Sequence, residues 1–160
     1  IAELAKKFLK DPITVRIESR ATAENVEQNV INVRKKDQKV DILHDLLLKE
    51  DFQKVLIFCR TKRGAERLSK TLLESGFKSD SIHGDKSQSQ RERALRRFEE
   101  NALQVLVATD VAARGLDIDD VTHVINFDVP ETYEDYIHRI GRTGRGGKTG
   151  NALTFIEEEK

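Results

Sequence analysis

Val55-Leu56-Ile57-Phe58-Cys59-Arg60-Thr61-Lys62-Arg63-Gly64-Ala65 decides the fold, because an unbroken apolar run leads through a polar turn into a helical pattern continued by Leu68 and Leu72. A short run that is apolar at every position suits a strand buried on both faces, not one with a wet side. Gly76 stands where the following helix needs a left-handed C-cap. Downstream the pattern repeats. Phe77 to His83 reads as a short strand, Ala94, Leu95 and Phe98 mark a helix, and Val105 to Ala108 and Val121 to Phe127 read as strands. Tyr133 to Ile140 is helical in spacing, and Ala152 to Ile156 gives a last strand. Upstream, Val30 to Val33 reads as a strand and Val40, Leu43, Leu46 and Leu47 as a helix. Buried strands alternating with amphipathic helices predict an α/β fold with a mainly parallel central sheet covered on both faces.

At 160 residues, with 38% hydrophobic and 35% charged residues, the chain suits one compact domain. Near the N-terminus, Ile1, Leu4, Ala5, Phe8 and Leu9 keep helical spacing until Asp11-Pro12, after which Ile13, Val15 and Ile17 alternate as a strand. A start at Ile1 without Met suggests a piece of a longer protein. Lys plus Arg and Asp plus Glu both total 28, so no global field attracts nucleic acid and any anion site must be local. The single cysteine, Cys59, excludes an internal disulfide and reads as a small core residue. His44, His83, His123 and His138 show no metal-ligand spacing with it, so no metal site is expected, and the setting reads as reducing and cytoplasmic. No apolar run approaches the roughly 20 residues of a membrane span, and no signal-peptide pattern opens the chain, so no membrane partner is expected.

Ligands of parallel α/β sheets sit beyond the carboxyl ends of the strands. Arg60-Thr61-Lys62, His83-Gly84-Asp85 and Thr109-Asp110 fall at such ends. Most informative is His138-Arg139-Ile140-Gly141-Arg142-Thr143-Gly144-Arg145, where a histidine and three arginines stand between glycines after an amphipathic helix. Tyr133, Tyr136, Ile137 and Ile140 share one side of that helix, so the guanidinium groups are expected to face outward, where their rigid forks suit phosphate oxygens. In Thr109 to Ile118, alanines and Gly115 keep the backbone accessible, Thr109 offers a hydroxyl, and Asp117 offers a carboxylate for a ribose hydroxyl. Gln88 and Arg91 stand near the start of a helix whose dipole favours anions. Taken alone, these features also admit bland readings: a solvated basic helix end, a tight connection with Asp117 capping a turn, and a solvated face for Arg93 to Arg97. Gly147-Lys148-Thr149 is a decoy. A G-x-x-x-x-G-K-[ST] loop would need glycine at Arg142, and here the order is helix, loop, strand rather than strand, loop, helix.

Over residues 25 to 157 the chain resembles the C-terminal RecA-like domain of DEAD-box ATP-dependent RNA helicases. Leu56 to Lys62 is similar to helicase motif IV, Gln88 to Phe98 to the Q-x-x-R element, Ala108 to Ile118 to motif V and Tyr136 to Arg145 to motif VI, all in family order. The resemblance implies a RecA-like three-layer αβα sandwich. It makes residues 1–12 the tail of a preceding N-terminal RecA-like domain with its linker, and 13–160 the helicase domain, stopping where relatives usually add a helix. By the same resemblance Arg142 and Arg145 are catalytic arginine fingers, and with Gly115 and Asp117 they bind ATP held, with Mg²⁺, mainly by the missing N-terminal domain. Fingers of this kind contribute about 10³ to 10⁵ in rate, or roughly 4 to 7 kcal/mol of barrier. Arg60, Thr61, Lys62, Gly84, Gln88, Arg91 and Thr109 would contact the sugar-phosphate backbone of single-stranded or partly duplex RNA, where 2′-hydroxyls distinguish it from DNA. Arg114, His138 and Arg139 would face the other domain.

The implied function is the second half of an RNA helicase, monomeric and inactive as a fragment. Two rivals remain at this level. A non-catalytic interaction module would have no use for Arg142, Arg145 and Asp117, and a self-sufficient P-loop ATPase lacks its loop.

Overall fold

The computed structural model describes residues 25–158. The helix and strand expected before residue 18, and the domain boundary at residue 12, lie outside the described residues. In chain order the elements are β1 (Val26–Val33), α1 (Gln38–Leu47), β2 (Val55–Phe58), α2 (Lys62–Glu74), β3 (Ser79–Ile82), α3 (Gln88–Glu99), β4 (Val105–Ala108), α4 (Asp110–Ala113), β5 (His123–Asn126), α5 (Tyr133–Ile140) and β6 (Gly150–Glu157).

The six strands form one sheet in the order β1-β6-β5-β2-β4-β3, every neighbouring pair parallel. Alternate side chains of the central strands feed two different cores, which makes the sheet the middle of three layers. Val55, Ile57, Val105, Val107 and Ile125 pack with Leu43 and Leu47 of α1 and Leu68 and Leu72 of α2. Leu56, Phe58, Leu106, Ala108 and Val124 pack on the other face with Ala94 and Phe98 of α3 and with Ala112 and Ala113 of α4. Tyr136 and Ile140 of α5 join Val26 and Ala152 in a smaller cluster. Each fully buried Val, Leu, Ile or Phe contributes roughly 1.5 to 3 kcal/mol of transfer free energy, so these two faces carry most of the fold's stability.

Helix starts are chemically marked. Thr61 and Thr132 accept hydrogen bonds from the backbone N–H groups of Gly64 and Asp135, each at 3.0 Å. Ser87 and Gln90 form a reciprocal capping box at α3. Gly76, at φ +97°, takes the left-handed position after α2 that the sequence reserved for it. Gly144 is left-handed for a different reason: at φ +72° it lies so close to Asn25 that a Cβ would stand 2.7 Å from its carbonyl oxygen. That contact ties the segment after α5 to the start of β1.

Several boundaries differ from expectation. β3 and β5 are shorter than Phe77 to His83 and Val121 to Phe127. β1 begins at Val26 and β6 runs from Gly150 to Glu157, because these two strands pair with each other along eight positions in which polar residues also take part. α4 was unanticipated. Among the described residues no helix is long and apolar enough to cross a membrane.

Candidate functional site

Chain order reverses around β2, which lies between β4 and β5, and a crevice opens there beyond the strand ends. It contains a pocket of about 220 Å³ bordered by Phe58, Asp110, Arg114, Gly115, His138 and Arg142, among others. The elements beside it are α4, which follows β4, and α5, which follows β5. Glu134 and Asp135 in the first turn of α5, with His138 and Arg139 in its last, match the helix dipole.

The three arginines of the 138–145 stretch have three different environments. Arg139 corrects the expectation of outward guanidinium groups: it is 2% exposed. Its Nε and Nη2 donate to the two carboxylate oxygens of Asp110, each at 2.7 Å, while Nη1 donates to Asn126 Oδ1 at 3.1 Å and to the Asp128 carbonyl at 2.7 Å. The Phe58 ring lies 5.1 Å from the guanidinium carbon. Helical spacing could not show this, because burial of the charge depends on a bidentate partner distant in sequence.

Arg142, just past the α5 C-cap Gly141, is half-buried on backbone oxygens. Nη1 donates to the Leu116 carbonyl at 2.7 Å and Nη2 to that of Ala113 at 3.3 Å. Desolvation, and then the neighbouring Arg145 charge, lower its pKa, opposed by Asp117 and Asp119. Arginine nevertheless stays charged. Arg145 is the open one: its side chain is 55% exposed, with Nε on the Gly141 carbonyl at 2.8 Å and Nη1 3.8 Å from Asp119. Arg142 and Arg145 therefore close over the segment that carries exposed Asp117. Gly115, exposed and left-handed at φ +76°, borders the same pocket. Arg114, with its side chain 70% exposed and 3.8 Å from Asp135, and exposed His138 stand at the pocket mouth. Arg145 also borders a larger polar cavity of about 390 Å³ that includes Lys54, Asp120, His123 and Lys148. That cavity is mixed in charge, and its Lys148 is already 3.2 Å from Asp120.

A second group of sequence-predicted residues follows β2, β4 and β3, which are adjacent: Phe58 and Ile82 both pair with Ala108. Arg60 to Lys62, Thr109 and His83 to Asp85 are thereby arrayed along one end of the sheet. Arg60 is exposed, and its backbone N–H donates to Asp128 Oδ2 at 2.8 Å. Lys62 pairs with Asp85 at 2.8 Å, and this bond pulls the exposed Asp85 carboxyl below its usual range. Gly84 is exposed with open space where a Cβ would stand. Thr61 and Thr109 both serve as N-caps, Thr109 accepting from the Ala112 N–H at 3.4 Å. A cap occupies an oxygen lone pair and leaves the O–H as a donor. Gln88 is exposed, 3.3 Å from Glu92, and half-buried Arg91 has a buried Nε with no hydrogen-bond partner among the described residues.

Sequence reading placed Asp110 and His83 at strand ends but missed the supporting roles that they share with other residues. Asp110, Asn126 and Asp128 hold Arg139. Glu66 holds the loop at Gly84: it accepts from Ser81 Oγ at 2.7 Å and lies 2.8 Å from His83 Nε2, which keeps its pKa near 2. The Asp85 N–H donates to His83 Nδ1 at 3.3 Å, so the imidazole proton sits on Nε2 and points at Glu66. Asn126, a polar residue ending an apolar strand, was an available signal beside the strand-end Asp110. Among the described residues no three His, Cys, Asp or Glu side chains gather as a metal site. Cys59 is buried and its thiol is pushed far up by desolvation, as a core residue's would be.

Comparison with known proteins agrees with this fold. The model of the helicase conserved C-terminal domain matches residues 38–147. The DEAD-box ATP-dependent RNA helicase CshA of Geobacillus kaustophilus is 47% identical over 157 residues, and that of Bacillus subtilis 48%, covering 98% of this chain in both cases. The chain spans about a third of the length of these curated relatives, 33% and 32%. Among solved structures, E. coli DEAD-box protein SrmB superposes with a TM-score of 0.79 at 38% identity, covering 82% of this chain and 78% of that one. A DEAD box protein from Methanococcus jannaschii gives 0.75 at 40%, covering 84% and 37%. With its parallel six-stranded sheet, the chain belongs to the helicase conserved C-terminal domain family and has the RecA-like fold of the C-terminal domains of DEAD-box proteins.

Proposed function

We propose that this domain supplies Arg142 and Arg145 as arginine fingers to ATP held, together with Mg²⁺, mainly by an N-terminal RecA-like domain, and that the row from Arg60 to Thr109 holds the RNA backbone. The observation that carries the reading is the closure of two guanidinium groups over the exposed Asp117 segment. This donor set fits part of a nucleotide: a held guanidinium at Arg142 and an open one at Arg145 for phosphate oxygens, a carboxylate for ribose hydroxyls, and Gly115 for close backbone approach. The nucleotide supplies the phosphoryl group to be transferred. Arg142 and Arg145 neutralise charge developing there, where a positioned guanidinium is worth most because water is excluded. Arg114 and His138, exposed at the pocket mouth, face the other domain.

Lys62, Gly84, Gln88, Arg91 and the hydroxyls of Thr61 and Thr109 grip phosphates and sugars of single-stranded or partly duplex RNA without reading its bases. Binding of both ligands across the cleft favours the closed pair of domains, which unwinds short duplexes or remodels RNA-protein complexes. We place this activity in the cytoplasm, and expect the isolated chain to be monomeric and inactive. ATP hydrolysis measured with and without RNA, on the full-length protein and on this chain, tests the split site. Turnover only in the full-length protein is expected. Comparable turnover by the chain alone would contradict it.

A further inference from the structure

We propose that Arg139 is a positioning residue, not a contact to the other domain: its forked ion pair with Asp110 sets the direction of α4, and the end of α4 with the segment that leaves it presents the backbone oxygens on which Arg142 rests. The inference rests on the reading of Arg142 as a finger, and adds to it the route by which that finger is held.

Three observations carry it. First, Arg139 is committed inward, forked on Asp110 at 2.7 Å through both nitrogens and bonded to Asn126 and the Asp128 carbonyl. To reach another domain it would have to abandon all of these and leave the Asp110 carboxylate uncompensated. Second, apart from the small buried side chains of Ala112 and Ala113, α4 has little of its own to fix its direction. It is a single turn, Asp110–Ala113, with a long cap bond of 3.4 Å from the Ala112 N–H to Thr109, and Val111 is 80% exposed. One turn of helix does not sustain itself, so outside contacts must orient it. Third, the two arginines grip opposite ends of that turn. Arg139 holds its first residue, Asp110, while Arg142 lies on the carbonyls of its last residue, Ala113, and of Leu116 beyond. A bidentate fork fixes angle as well as distance, which a lysine at the same place would not do.

The test uses Asp110→Asn and Arg139→Lys in the full-length protein, each alone and combined with Arg142→Ala, with kcat and KM for ATP read at saturating RNA. Asp110→Asn should lower kcat about 10-fold with KM changed less than about 2-fold, and should cost less than about 2-fold once Arg142 is Ala, because residues acting through one another are not additive. Arg139→Lys should show the same split. A fully active Asp110→Asn beside an impaired Arg139→Lys would make Arg139 a direct interdomain contact and overturn the proposal. So would losses that multiply in full in the Arg142→Ala background. Wild-type turnover by Arg142→Ala alone would strike the finger reading, not the fork, which a second measurement judges separately. In ¹⁵N-labelled chain, Asp110→Asn should move the Arg142 guanidinium resonances and the backbone amides of residues 113–118. Unchanged signals there would overturn the positioning role whatever the turnover. If Asp110→Asn does not fold, Asp110→Glu, which keeps the charge but lengthens the arm, serves in both measurements with a loss of about 3-fold in kcat.

Discussion

Two arginine-rich segments of this chain sit beside helices of the same sheet, yet they are built differently. In α3, Arg93 and Arg96 are exposed and Arg97, with its side chain 42% exposed, lies 3.7 Å from Asp80. In and after α5, Arg139 is buried on a carboxylate and Arg142 is half-buried on carbonyls, leaving only Arg145 open. Arginine number is similar in both places, so number does not mark the site. What distinguishes the α5 segment is that the protein supplies fixed acceptors for Arg139 and Arg142, whereas Arg91 of α3 keeps a buried Nε with no partner among the described residues. Exposed ion pairs contribute about 0 to 1 kcal/mol, whereas breaking a buried one strands its partner.

The contrast can be broken at its strongest point first. Arg139→Ala should lower the unfolding free energy by about 3 to 5 kcal/mol in a urea titration, since it leaves Asp110 and Asn126 unanswered in a mostly buried site. A loss below about 1 kcal/mol would place Arg139 with the surface arginines of α3. Ser87→Ala removes the capping box that starts α3 and should cost about 1 kcal/mol in the same titration. Glu66→Gln sharpens the comparison through pH. The folded-state pKa of Glu66 lies near 2 against an ordinary 4.5, chiefly because Ser81 and His83 donate to it. A depressed carboxyl contributes stability in full above its unfolded pKa, and that contribution is lost as pH falls from about 4.5 through 2. The Gln variant should therefore show a flatter acid limb in thermal melts between those values, and an unchanged limb would remove Glu66 as the support of the Gly84 loop. Smallest of all, Arg93→Ala and Arg96→Ala should each stay within about 0.5 kcal/mol of the unaltered chain.

The contrast also explains what the sequence could reveal. β2 and β4 were readable because every residue in them is buried, so the apolar run carries its own signal. β1 starts four residues earlier than hydropathy suggested: Glu27 and Asn29 lie exposed at a sheet edge, and only pairing with β6 identifies them as strand. α4 left no periodic trace because four residues make one turn. Asp117, Arg142 and Arg145 were legible through their spacing among glycines, whereas the burial of Arg139 was not, since Asp110 lies 29 positions away. Residues proposed to face a ligand were visible in the motifs. Those that hold them in place were visible only once the chain had folded.

The central claim is that this domain completes a nucleotide site that another domain holds. Its most direct test is RNA-stimulated ATP hydrolysis by the full-length protein carrying Arg142→Ala, measured beside nucleotide affinity. A turnover loss of about 10³-fold or more, with ATP affinity changed far less, is predicted for a group that acts on the transferring phosphoryl. Turnover equal to that of the unaltered protein would contradict the account.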